Sequence, residues 1–141
     1  MGIKGSKCDY FGAVGAKNGK PDERGRRLKD MAEESGVTPH FCHVENKPTG
    51  TCAVVVSNKE RTLTTDLAAA CAYNEQHFHA NIDVLAEAKF IYITGFFISS
   101  SMPTLLRAAK YANDNDIPFG FNLSAVFLQH TEKENVLKAL E

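Results

Sequence analysis

The apolar positions change period several times along the chain. Asp9 to Val14 is a short apolar run ending at Gly15, the pattern of a buried strand. Asn18-Gly19 and Pro21 mark a turn. Asp22 to Ser35 then predicts a helix, with Leu28 and Met31 inward at i, i+3 and Gly36 as its stop. Val37 to Val44 reads as a strand and Asn46 to Gly50 as a loop. Thr51 to Ser57 is rich in β-branched residues, Asn58-Lys59-Glu60 turns the chain, and Leu63, Thr65 and Leu67 alternate onto one face. These two runs predict an antiparallel hairpin, whereas Ala68 to Cys71 reads equally well as helix.

Beyond the hairpin, Asn74 to Lys89 predicts a helix striped by Ile82, Leu85 and Ala86. Phe90 to Ile98 is nearly continuously apolar, as expected of a strand buried on both faces of a parallel sheet. Ser101-Met102-Pro103 is a helix start, a hydroxyl cap followed by proline in the first turn, and that helix runs to about Asn115. Pro118 to Leu123 is a second buried strand, and a further helix begins at His130. Strand–helix alternation after Phe90 gives an α/β layered fold, to which the hairpin adds a small sheet.

Composition acts mainly by exclusion. A chain of 141 residues, 43% apolar and 23% charged, fits one globular domain. A net charge of −1 gives no electrostatic case for nucleic acid or an anionic membrane. The apolar run at Phe90 is too short to span a bilayer. Cys8, Cys42, Cys52 and Cys71 form no C-x-x-C pair, and Met1 to Lys7 is short, basic and without an apolar run. Free thiols in a reducing compartment are expected. Met1-Gly2-x-x-x-Ser6 fits the myristoylation pattern, which is short and common.

Three segments carry the candidate chemistry: PTGTCAVVVSNKERTLTTDLAAACAY from Pro48 to Tyr73, YITGFF from Tyr92 to Phe97, and FNLSAVF from Phe121 to Phe127. In that order and at that spacing the chain resembles the ribokinase-like (PfkB) sugar and nucleoside kinases, in their adenosine kinase branch. The resemblance runs from about Tyr10 onward and covers the middle of such a domain. It implies an α/β fold, part of a ribokinase-like three-layer sandwich. Lid strands would lie at about residues 48–73 and a Rossmann-like core at about 90–141, with the N- and C-terminal parts of the family domain outside this chain. The implied reaction moves the γ-phosphate of ATP to the 5′-hydroxyl of adenosine with Mg²⁺, in purine salvage. The implied enzyme is monomeric and cytoplasmic or nuclear, with no nucleic-acid or membrane partner. A parallel sheet cut at both sides leaves open edges, so self-association of the chain itself is expected.

Such a kinase must align a hydroxyl with the γ-phosphate, neutralise phosphate charge and remove a proton. The family's Gly-Ala-Gly-Asp motif, whose aspartate takes the proton, does not occur in this sequence. By the resemblance, Arg61 stabilises the transferring phosphoryl group through its planar, permanently charged fork. Read from the residues alone, Arg61 is a solvated turn residue beside Glu60. The resemblance also implies that Cys52, Leu63, Thr65 and Leu67 line the nucleoside from the lid side. Phe96 or Phe97 would stack on adenine, and Phe127 would close another wall. All of these also read as ordinary core residues, but strand ends are where open α/β sheets bind ligands.

The sequence departs from the family pattern at Val126, Thr65 and Asp66. It departs further at Gly15 to Gly25, where an insertion in the Gly-x-Asp-x-x-Gly segment puts Asp22 elsewhere. His40, Cys42 and His43, like His77-x-His79, lack the closely spaced partners of a structural metal site, and the histidines read as surface or loop residues. Two further readings stay open: a truncated, non-catalytic product of such a kinase, and a small α/β interaction domain derived from one.

Overall fold

Two long parallel strands organise the first half of the chain. The structure, a computed structural model, describes residues 7–140; the Met1 to Ser6 pattern lies outside them. β1 (Cys8–Lys17) pairs in parallel with β3 (Val37–Glu45), in register from Cys8↔Val37 to Ala16↔Glu45. At its end β1 folds back on β2 (Lys20–Pro21) through Asn18 and Gly19, both at positive φ, so β2-β1-β3 form one sheet. Asparagine and glycine tolerate that left-handed conformation, which matches the twist of a tight hairpin. The crossover from β1 to β3 carries α1 (Glu23–Glu34), which ends at Gly36 with φ 77°. The terminal glycine relieves the steric cost of that conformation.

The helix is placed as expected, but its inward stripe is not. Leu28 and Met31 are 45% and 53% exposed, and the only buried residue of α1 is Gly25. Small size rather than apolar surface makes this contact: a Cβ on Gly25 would sit 3.0 Å from the Val14 side chain.

β4 (Thr51–Ser57) and β5 (Glu60–Asp66) form the predicted hairpin, a two-stranded sheet of its own in register from Thr51↔Asp66 to Ser57↔Glu60. Every residue in both strands is exposed. The alternation breaks after Asp66: Leu67 has helical backbone angles and opens a 3₁₀ turn, Ala68–Ala72. Leu67 therefore lies just beyond the paired strand that carries Leu63 and Thr65. That turn resolves the ambiguity at Ala68 to Cys71, and it buries Ala69 and is followed by buried Tyr73.

Residues from Asn74 onward form a second unit. The single helix expected over Asn74 to Lys89 is two short ones, α2 (Glu75–Ala80) and α3 (Asp83–Ala86). Asn81 separates them, its side chain donating to the His77 carbonyl at 2.8 Å. Leu85 is buried, whereas Ala86 is exposed. β6 (Ile91–Thr94) and β7 (Phe119–Asn122) pair in parallel. Between them lie a 3₁₀ turn, Gly95–Phe97, and α4 (Ile98–Asp114). Ser101 has extended angles (φ −164°, ψ 89°) inside α4, so the helix restarts there, with the Ser101 and Thr104 hydroxyls 2.8 Å apart and Pro103 in the new first turn. The serine cap and proline thus act where the sequence placed them, one turn after an unexpected first segment. α5 (Val126–Thr131) and α6 (Lys133–Leu140) follow.

Ile98, Leu105 and Val136 form the core of this unit, with Ile93, Phe97, Met102 and Phe121 packed against it. β6 is covered on that face only. On the other face Phe90 and Tyr92 are exposed, and their rings lie over Gly120, where a Cβ would come within 2.8 Å of Phe90. The expected strand buried on both faces is therefore covered on one.

Candidate active site

The hairpin register brings most of the predicted lid residues together. Cys52↔Thr65, Val54↔Leu63 and Val56↔Arg61 are directly opposed pairs spaced two residues apart, so all six side chains share one face. The opposite face carries Thr51, Ala53, Val55, Ser57, Glu60, Thr62, Thr64 and Asp66. One face is thus mainly apolar and ends in an arginine at the turn; the other is mainly polar. Val54 and Val56 belong to the first face and were missed in the sequence. The signal for them was the pairing itself, fixed once a two-residue turn at Asn58 and Lys59 sets the register. Both turn residues have positive φ, 50° and 68°. The Thr65 hydroxyl donates to the Cys52 sulfur at 3.2 Å, which ties the polar exception on this face to its cross-strand neighbour. Among the described residues Arg61 has no ion-pair partner, although Glu60 is adjacent.

The base of the hairpin is held by a buried polar node. Asp22 caps α1, its Oδ1 accepting from the Gly25 N–H at 2.7 Å and from the Thr49 hydroxyl at 2.6 Å, while Oδ2 accepts from the Thr49 N–H at 2.7 Å. The Thr49 hydroxyl in turn accepts from the Gly15 N–H at 2.9 Å, and Thr49 is 3% exposed. Gly15 has no room for a side chain, since a Cβ would lie 2.5 Å from the Pro48 carbonyl carbon and the Thr49 nitrogen. In this longer segment the chain turns at Asn18 and Gly19, and Asp22-x-x-Gly25 then forms the cap of α1.

Partial burial works to raise the Asp22 pKa. The hydrogen bonds from the Thr49 side chain and backbone and from Gly25, with the Arg24 charge, outweigh it and hold the carboxyl below its ordinary value of 3.8. A lowered folded-state pKa gives stability that is present above the unfolded value and lost as pH falls through the folded one. Asp22→Asn keeps an oxygen that can cap the Gly25 N–H but leaves the Thr49 N–H without an acceptor, at an expected cost of about 1–3 kcal/mol at neutral pH. An amide nitrogen would meet the Thr49 N–H, a donor against a donor. Denaturant melts from pH 7 to pH 3 check this: the difference between parent and variant shrinks below about pH 4.

In the second unit, the strand ends display the aromatic candidates. Phe96 and Phe127 are 52% and 58% exposed, with ring centroids 6.1 Å apart and planes inclined by 42°. Phe97, by contrast, packs against the Ile98–Leu105–Val136 core. The turn that separates them is stitched to β7: Asn122 Oδ1 accepts from the Gly95 N–H at 2.9 Å, and Ser124 Oγ accepts from the Phe96 N–H at 3.1 Å while donating to Asn122 Oδ1 at 2.7 Å. Gly95 is required there, since a Cβ would lie 2.5 Å from the Asn122 carbonyl oxygen. Asn122 and Ser124 were not singled out from the sequence, because their partners lie 27 and 28 residues away. Val126, the departure from the family pattern, is the first residue of α5 and tolerates its position as an ordinary helix N-terminus.

The histidine groups do not converge. His77 and His79 lie on α2, where i and i+2 point to different sides. His40 Nε2 is 2.8 Å from Asp9 Oδ1 and its ring stacks on Phe11. Among the described residues no group of three or more His, Cys, Asp or Glu could hold a metal ion.

Comparison with known proteins places this geometry in a class. The pfkB family carbohydrate kinases match residues 4–141, and the chain belongs to that family. Among curated relatives, the adenosine kinase of Saccharomyces cerevisiae is 32% identical over 131 residues, which cover 93% of this chain and 37% of the relative. Among solved structures, Anopheles gambiae adenosine kinase in complex with P1,P4-di(adenosine-5) tetraphosphate superposes with a TM-score of 0.85 at 35% identity, covering 93% of this chain and 38% of that one. Schistosoma mansoni adenosine kinase in complex with adenosine, in an occluded loop conformation, gives 0.85 at 31% identity over 94% and 38%. The fold is thus α/β and ribokinase-like, and the chain spans little more than a third of the length of these relatives.

Proposed function

We propose that this chain is the central part of an adenosine kinase, which moves the γ-phosphate of ATP to the 5′-hydroxyl of adenosine to give AMP in cytoplasmic purine salvage. The observation that carries the reading is the hairpin face: Cys52, Val54, Val56 and Leu63 with the single hydroxyl of Thr65, ending in Arg61, which has no ion-pair partner among the described residues, on a chain whose relatives are adenosine kinases. The hairpin, within residues 48–73, acts as the lid element, and residues 90–141 supply the Rossmann-like part. Cys52, Leu63 and Thr65 line the nucleoside, with Leu67 at the hairpin's return arm. Arg61 pairs with the transferring phosphoryl group, where a guanidinium fork matches the phosphate oxygens. Mg²⁺ enters with ATP and neutralises phosphate charge; no residue of this chain is assigned to it.

Phe96, rather than Phe97, stacks on the adenine, with Phe127 as the adjoining wall. Exposure supports the choice, because a stacking ring must present a face, whereas Phe97 is committed to the core. In a complete kinase carrying this segment, Phe96→Ala is expected to raise the KM for adenosine by an amount equivalent to about 1–3 kcal/mol, the range for base–aromatic stacking, with little change in melting temperature. Phe97→Ala is expected to lower the melting temperature instead. Steady-state kinetics with thermal melts check both. The reverse assignment of the two phenotypes would move the stacking role to Phe97.

A further inference from the structure

The hairpin is anchored almost wholly at its base. None of its fourteen strand residues is buried. One arm enters through Thr49, which is 3% exposed and joined to Asp22 and Gly15 by three hydrogen bonds. The other arm leaves through Leu67 and is fixed where the Ala69 N–H donates to the Pro48 carbonyl at 3.1 Å, with Ala69 fully buried. The two arms touch at Gly50, where a Cβ would lie 2.7 Å from the Leu67 carbonyl oxygen.

Leverage makes that base matter. Arg61 pairs with Val56, seven residues beyond Thr49, so it stands roughly 20 Å from the anchor at the rise of an extended strand. Over that length an angular slack of about 3° displaces the guanidinium by about 1 Å, and misplacement on that scale can cost about 10²-fold in rate. A side chain far from the chemistry can therefore govern it by setting the hairpin's angle.

We propose that Thr49, clamped by Asp22, is a positioning residue that fixes the direction of the hairpin and hence where Arg61 delivers its charge. The inference rests on the phosphoryl-transfer reading given above. The hydroxyl is the essential part: it donates to the Asp22 carboxylate and accepts from the Gly15 N–H. Valine keeps the shape of threonine and removes both bonds, whereas serine keeps both bonds and removes only a methyl group.

Thr49→Val and Thr49→Ser in a complete kinase carrying this segment form the kinetic arm of the test. The valine variant is expected to lose about 10- to 100-fold in kcat with a smaller rise in the KM for adenosine, because Cys52 and Thr65 lie nearer the anchor than Arg61 and move less, and serine to restore kcat. A valine variant with the parent's kcat, or a serine variant as impaired as valine, overturns the proposal. Amide hydrogen exchange on the 141-residue chain is the second arm. In Thr49→Val the amides of Thr51 to Val56 are expected to exchange at least about tenfold faster, while Val14 in β1 keeps its rate. Unchanged hairpin rates, or equal acceleration at Val14, would mean that Thr49 does not orient the hairpin in particular. If the parent kinase phosphorylates no adenosine, the functional reading fails, and the exchange result still decides the role of Thr49.

Discussion

Arg61→Ala, in a complete kinase carrying this segment, is expected to lower kcat by about 10²-fold or more while changing the KM for adenosine little. The expectation follows from where charge develops. Negative charge spreads over the transferring phosphoryl oxygens in the transition state, and an arginine that meets them only then contributes to kcat rather than to ground-state binding. Removal of one such preorganised electrostatic partner costs about 10²–10³-fold elsewhere. The hairpin supports the assignment, since Arg61 shares a face with Cys52, Leu63 and Thr65 and has no carboxylate partner among the described residues. Arg61→Lys is expected to recover only part of the loss, because an ammonium keeps the charge but not the two-pronged geometry. Wild-type kinetics for Arg61→Ala would return the residue to the role of a solvated turn arginine.

The 141-residue chain by itself is expected to phosphorylate adenosine at no measurable rate. Its sequence has no Gly-Ala-Gly-Asp motif, so neither the proton acceptor nor the anion-binding helix start of the family is present in it. Loss of a positioned base costs about 10²–10⁴-fold, and loss of backbone donors aimed at the phosphates multiplies that. Turnover by the purified chain, above a mock-purified control, would overturn this expectation and would require a proton acceptor within residues 1–141.

The parts of this fold that were legible in the sequence are those set by short-range pattern. Period-two alternation showed the hairpin and the shared face of Leu63 and Thr65, whereas the pairing of Cys52 with Thr65 depends on the turn being Asn58-Lys59 alone, with Glu60 already in the strand. The Ser101-Met102-Pro103 signal located a true helix start, although an extra turn of helix precedes it. Pattern failed where a single residue changes the backbone. Leu67, with helical angles, and Ala68, at φ 43°, end the strand one residue before the alternation does, and Asn81 divides a helix that apolar spacing made continuous. It failed again where burial depends on what lies opposite: Phe90 and Tyr92 read as core and are exposed, as do Leu28 and Met31. The polar nodes were least legible. Asp22 meets Thr49 across 27 residues, and Asn122 meets Gly95 across the same interval, so no local rule could pair them. Phe96 and Phe97 are indistinguishable in sequence; only the 3₁₀ turn that sends one ring to the core and leaves the other exposed separates them.

The most direct measurement is phosphate transfer from γ-labelled ATP in a complete kinase carrying this segment, with adenosine and a free sugar such as ribose offered separately as acceptors. The account predicts labelled AMP from adenosine, much reduced in the Arg61→Ala variant, and little transfer to the sugar. Label on the sugar with none on adenosine, or AMP formation indifferent to Arg61, would contradict it.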